Sequence, residues 1–127
     1  MPIEVAWKGT HLHVQFSGTV TKADLRSFVD RMAAIEAEVT PTPDRLVDIS
    51  DTTAVGLGFA EIAALVEVRR AIQPRNPFRT ALVAVTALQQ GYARMFQNLN
   101  DHPLVTIRVF DSLREAEAWI DTPPSRR

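Results

Sequence analysis

The chain contains no cysteine. Disulfides, thiolate metal sites and a cysteine nucleophile are therefore excluded. It also has no excess of one charge: 14 Lys and Arg against 15 Asp and Glu give a formal net charge of -1. General nucleic-acid affinity needs a basic surface that releases counterions from phosphates, so no nucleic-acid partner is expected. Long apolar runs are missing, and no segment approaches the roughly 18 apolar residues of a membrane span. Met1-Pro2-Ile3-Glu4 lacks the basic and apolar regions of a signal peptide. The expectation is a cytoplasmic protein. No internal repeat, linker, long low-complexity segment or catalytic constellation stands out.

What is present reads as one domain. The 127 residues are 46% hydrophobic and 23% charged, ordinary values for a soluble globular protein. Such a chain buries roughly two-thirds of its unfolded surface, enough for a core without staples. Ile3, Val5 and Trp7 alternate with polar or small residues, as do Leu12, Val14 and Phe16. Period two on both sides of Gly9-Thr10 predicts a hairpin, because glycine accepts the positive φ of a two-residue turn. Gly18 ends or bends the second strand. Thr21 followed by Asp24 predicts a capping box with Asp in place of Glu or Gln. Leu25, Phe28, Val29, Met32, Ile35 and Val39 follow at helical spacing until Pro41 and Pro43.

Arg45 to Ile49 is a short apolar run, followed by an expected loop from Ser50 to Gly58. A second helix is predicted from Phe59 to Ile72, apolar over a wide arc. Such a helix is either deeply buried or covered by a partner. A strand over Thr80–Thr86 follows, then a helix carrying Tyr92, Met95, Phe96 and Leu99. A strand over Val105–Phe110 and a helix over Ser112–Ile120 complete the chain. The order is β-β-α-β-α-β-α-β-α. It implies an α/β fold: a mixed, mostly parallel five-stranded sheet with an antiparallel leading hairpin and four helices. The domain is expected to span residues 1–121, with residues 122–127 a disordered tail.

Several segments resemble the STAS fold, and more closely its SpoIIAA-like group. They are Gly18-Thr19-Val20-Thr21 with Asp24-Leu25, then Leu46-Val47-Asp48-Ile49-Ser50. Tyr92-Ala93-Arg94-Met95-Phe96, Val109-Phe110-Asp111 and Glu115-Ala116-Glu117-Ala118-Trp119 follow in the same order. The likeness runs from about Ile3 to Ile120. It implies a cytoplasmic, non-catalytic domain acting through protein partners or small ligands. Related folds include anti-sigma-factor antagonists, and the group is also compared with CRAL-TRIO lipid-binding domains. One departure matters. Anti-sigma-factor antagonists carry a phosphorylatable serine where the loop meets the second helix. Here that stretch reads Ala54-Val55-Gly56-Leu57-Gly58-Phe59, without a hydroxyl. The phosphorylation switch is therefore not carried over.

The candidate sites are few. Asp48, Ser50, Asp51, Thr52, Thr53, Gly56 and Gly58 lie where a strand's carboxyl end is expected to meet a helix start, the edge at which open α/β sheets bind ligands. The plainer alternative is that Asp and Ser only turn and cap the loop. Gly56 and Gly58 do not make a phosphate fingerprint, which needs further glycines or a Lys-Ser/Thr pair. Leu65 and Val68 lie on the broad apolar arc and are candidates for partner contact. Arg69, Arg70, Arg75 and Arg79 form a weak anion-binding candidate, or else complement the C-terminus of the second helix.

His11 and His13 share one face of a strand. Two ligands do not define a metal site, so the expectation is a polar solvent face on an outer strand and no metal. Trp7, Phe96, Phe110 and Trp119 sit on apolar periods and are expected in the core. Arg94 is expected to be exposed. No cofactor is implied. The leading reading is a non-catalytic regulatory or protein-interaction domain, self-association included, acting through Ser50–Gly58 and the helix after it. A carrier or sensor of a small apolar ligand or lipid beneath the helix at 59–72 is the alternative. An enzyme using Asp48, Asp51 or the histidines ranks third.

Overall fold

The computed structural model describes residues 2–55, 59–70, 76–100 and 102–122; of residues 54, 55, 59, 65, 66 and 68–70 it describes the backbone alone. Strands β1 (Ile3–Lys8) and β2 (His11–Val20) form the expected antiparallel hairpin, Val5 opposite Val14. Gly9 turns it at φ +64°, a conformation that costs a residue without Cβ little. Helix α1 (Lys22–Glu38) starts on the expected capping box. The Asp24 amide donates to Thr21 Oγ1 at 3.2 Å, and the Thr21 amide donates to Asp24 Oδ2 at 2.9 Å.

The chain continues through β3 (Arg45–Val55), α2 (Phe59–Arg70) and β4 (Phe78–Val83) to α3 (Ala87–Leu99), β5 (Val105–Phe110) and α4 (Leu113–Asp121). The strand expected over Thr80–Thr86 is displaced toward its N-terminus, because Thr86 serves as the N-cap of α3. Its hydroxyl accepts from the Gln89 amide at 3.2 Å, while Gln89 Oε1 accepts from the Thr86 amide at 3.0 Å. Ser112 caps α4 in the same manner, its hydroxyl accepting from the Glu115 amide.

The sheet order is β1-β2-β3-β4-β5, parallel from β2 onward. Each parallel crossover moves one strand in the same direction, so right-handed connections place α1, α2 and α3 on one face. That face buries Val14, Phe16, Val20, Val47, Leu82 and Ala84 together with Ala93 of α3. The opposite face buries Leu46, Ala81, Val83 and Phe110 against Ala116 and Ile120 of α4.

Three expectations are corrected here. β3 does not stop at Ile49. It runs to Val55, because residues 51–55 pair with Ser17–Val20 of β2, so much of the expected loop is strand. Trp7 is not core: it lies on the outer strand β1 and is 49% exposed. The histidine strand is not an outer one. β2 lies between β1 and β3, and His11 is 8% exposed, beside Asp121 at the end of α4.

Candidate functional site

The second half of β3 positions the site. Gln15 pairs with Asp48 and Ser17 with Asp51, so two steps along β2 match three along β3. The extra residue is a β-bulge, and it reverses which side chains face which side of the sheet. Arg45, Val47 and Ile49 face the three helices; beyond the bulge it is Thr52 that joins them, while Asp51 is exposed. Local hydrogen bonds hold the bulge. Asp48 Oδ1 accepts from the Ser50 amide at 2.8 Å and from the Ser50 hydroxyl at 2.6 Å. Gln89 Nε2 reaches across from α3 and donates to the carbonyls of Ser50 and Thr52 at 3.0 and 3.1 Å. A second extra residue follows at Thr53, since Gly18 pairs with Thr52 and Thr19 with Ala54.

Thr52 thereby reaches the wall of a cavity of about 160 Å³ between the sheet and α1, α2 and α3. The remaining wall is largely apolar: Phe16, Leu25, Phe28, Ile49, Ile62 and Phe96 contribute, with Tyr92 and Asn100 from α3. Phe16 and Phe28 meet edge to face at 5.4 Å. At the N-terminal end of β3, Arg45 is held in a buried ion pair with Glu36 at 2.6 Å, the side chains 5% and 10% exposed. Its guanidinium also lies 4.2 Å from the centre of the Phe78 ring and donates to Pro43 O at 3.1 Å. The Thr52 residue is 9% exposed, and its Oγ1 is buried without a hydrogen-bond partner.

The structure divides the residues singled out in the sequence. Asp48 and Ser50 sit within β3 and bond each other, Asp51 meets Gln15 Nε2 at 3.4 Å, and Thr53 is exposed. Only Thr52 of that group faces the cavity. Gly56, Gly58 and Arg75 lie outside the described residues, as do the side chains of Leu65, Val68, Arg69 and Arg70. Arg79 complements a helix C-terminus, but that of α4. It donates to the carbonyls of Trp119 and Ile120 at 2.8 and 2.9 Å and pairs with Asp44 at 2.8 Å.

Arg94 is exposed, as expected, and lines an open groove of about 500 Å³ along β5. That groove combines Arg94 and Arg108 with Asp111 and Glu115, so it carries no net charge. His102 stands before β5, three strands from the histidines of β2, and accepts from the Leu104 amide at 3.0 Å. Among the described residues no cluster of three His, Asp or Glu side chains could hold a metal ion. Burial pushes the His11 imidazole below its ordinary value; Asp121 opposes that shift and His13 and Lys8 add to it.

Gln89, Arg45 and Glu36 were missed as positioning residues. Thr86-x-x-Gln89 carries a legible signal, the capping-box spacing. Arg45 and Glu36 carry none, since a charged residue in an apolar run does not reveal its partner.

A mixed five-stranded sheet with three helices on one face and one on the other defines a small α/β domain. The chain belongs to the SpoIIAA-like family, whose model matches residues 11–121. Solved structures agree on the fold. An uncharacterised protein with a SpoIIAA-like fold from Shewanella loihica PV-4 is 19% identical, with a TM-score of 0.61 over 93% of this chain and 91% of that one. An anti-sigma factor antagonist from Mycobacterium paratuberculosis is 13% identical, with a TM-score of 0.59 over 94% and 93%. Among curated proteins none matches the chain. No helix among the described residues is long and apolar enough to cross a membrane.

Proposed function

We propose that this SpoIIAA-like protein is a non-catalytic binding domain that takes a small apolar molecule into the cavity beneath α1, α2 and α3. The cavity carries this reading. Its volume of about 160 Å³ and its phenylalanine- and isoleucine-rich wall match the conditions under which apolar cavities stay dry and admit a ring-sized guest. Asp48, a catalytic candidate on sequence grounds, serves the bulge instead. Native mass spectrometry of the purified protein, followed by a thermal shift with toluene, tests the reading. A retained small molecule or a raised melting temperature supports it. No adduct, no shift and no effect of Ala93→Leu, which fills the cavity, would sink it.

The fold shared with an anti-sigma factor antagonist and the broad apolar arc of residues 59–72 favour a second reading: a regulatory domain in the cytoplasm that associates with a protein partner or with itself. Residues 54–59 carry no hydroxyl, so this reading uses no serine switch there. Light scattering across a concentration series tests the self-association branch. Leu65→Asp or Val68→Asp should then weaken association and leave the domain folded. A constant monomer mass removes that branch.

A further inference from the structure

We propose that the open edge of β5 is the contact surface for a second copy of this chain, the two β5 strands pairing antiparallel about a two-fold axis at Val109. This rests on the self-association reading above and gives it a surface other than the apolar arc of residues 59–72. β5 lies at one margin of the sheet, paired with β4. An edge strand presents main-chain donors and acceptors that a further strand can take up. The Phe78 amide donates to Leu104 O at 3.0 Å and the Ala84 amide to Phe110 O at 2.8 Å, so the even-numbered residues of β5 turn their main-chain groups toward β4. Val105, Ile107 and Val109, of opposite parity, turn theirs outward.

Two of these three are already engaged. The Val105 amide donates to His102 O at 3.1 Å, and Gln97 Nε2 donates to Ile107 O at 2.7 Å. The N–H and C=O of Val109 meet no partner among the described residues, and Val109 lines the open groove of about 500 Å³. A residue with both groups turned outward can exchange two hydrogen bonds with its own counterpart, which is the pairing a two-fold axis produces.

The charges of the groove have a direction. Arg108 precedes Val109 along the strand and Asp111 follows it. α3 and α4 run against the strands they follow: Arg79, near the start of β4, holds the carbonyls of Trp119 and Ile120 at the end of α4. Arg94, past the middle of α3, therefore lies toward the amino end of β5, and Glu115, in the first turn of α4, toward its carboxyl end. Among the described residues these four charges form no ion pair with one another. An antiparallel copy sets the arginines of each chain against the carboxylates of the other, the self-complementary patch that a two-fold contact needs. Arg108 is held ready for it, its guanidinium 5.1 Å from the centre of the Phe110 ring and 6.0 Å from that of Trp119. Leu88 and Leu113, in the first turns of the two helices that wall the groove, are exposed and supply apolar surface to bury.

The test exchanges the charges in groups. One chain carries Arg94→Glu with Arg108→Glu, another Asp111→Arg with Glu115→Arg, and circular dichroism checks that both fold. The wild type should dimerise in light scattering across a concentration series. Each changed chain should associate at least about tenfold more weakly, because like charges then face each other. An equimolar mixture of the two should give a one-to-one heterodimer in native mass spectrometry, since every base again meets an acid. Changed chains that dimerise as tightly as the wild type, or a mixture that stays monomeric, would overturn this interface and leave self-association to the helix at 59–72. A monomeric wild type at every concentration would overturn the interface and the self-association reading together. Hydrogen exchange of the wild type needs no variant and decides the matter if a changed chain does not fold. The Val109 amide should exchange more slowly as the dimer forms; a rate independent of dimerisation would overturn the pairing.

Discussion

On one face of the sheet α4 lies on Leu46, Ala81, Val83 and Phe110, with Ala116 and Ile120 buried among them. On the other face three helices stand over a cavity of about 160 Å³. Polar contacts along α4 separate the two arrangements. Ala81 and Ala116 are completely buried, which allows close helix–sheet approach, and polar groups secure α4 along its length. Lys8 pairs with Glu117 at 3.3 Å, Arg79 holds the carbonyls of Trp119 and Ile120, and His11 Nδ1 stands 3.7 Å from Asp121 Oδ1. The helix-rich face instead sets phenylalanine rings from β2, α1 and α3 around a space. A sheet can thus close one side tightly and leave the other incompletely filled.

The largest expected break in this comparison is at the buried Arg45–Glu36 pair on the cavity side. Glu36→Ala removes the carboxylate paired with the buried Arg45 guanidinium and should cost about 4 kcal/mol in denaturant unfolding. Replacing both residues by apolar ones of similar size should recover most of that loss. A cost near zero for the single variant would show that Arg45 reaches water.

Next in size are matched truncations on the two faces. Leu46→Ala, beneath α4, should cost about 3 kcal/mol, because the packed surroundings cannot collapse into the gap. Leu25→Ala, on the partly buried cavity wall, should cost roughly half as much, since less contact is lost there. Equal costs, read from urea midpoints at unchanged slope, would erase the distinction between the faces.

The smallest effect concerns pH. His11 titrates below its ordinary value of 6.5 in the folded chain because burial disfavours the imidazolium. The unfolded chain therefore takes up a proton first as pH falls. Stability is fully present above about 6.5 and declines below it, until the folded His11 protonates as well. Urea midpoints at neutral and mildly acidic pH should show this decline, and His11→Gln should reduce it. An unchanged decline in that variant would assign it to other groups.

Much of the fold was legible because it depends on neighbours in the chain. The hairpin at Gly9, the capping box of Thr21 and Asp24, the strand Val105–Phe110 and the capped helix after it all follow from spacing within a few residues. The polar run Asp51-Thr52-Thr53 read as a loop because no alternation marks it, yet it pairs with Ser17–Val20. Its β-branched threonines suit a strand once a partner strand is present. Thr52 stood among the candidate residues for a different reason, its place in that expected loop. Arg79 was read toward the helix before it, whereas it caps a helix forty residues further on.

The sequence by itself determined the order of elements, their principal start signals, the apolar stripe of α1 and the family resemblance. Period, capping and turn chemistry act over short chain distances. Only the tertiary structure decided that Thr52 faces a cavity, that His11 is buried and that Arg45 meets Glu36. Each depends on register across strands or on which face a distant helix covers. A single inserted residue in β3 is enough to exchange the faces, because side chains in a strand alternate with a period of two.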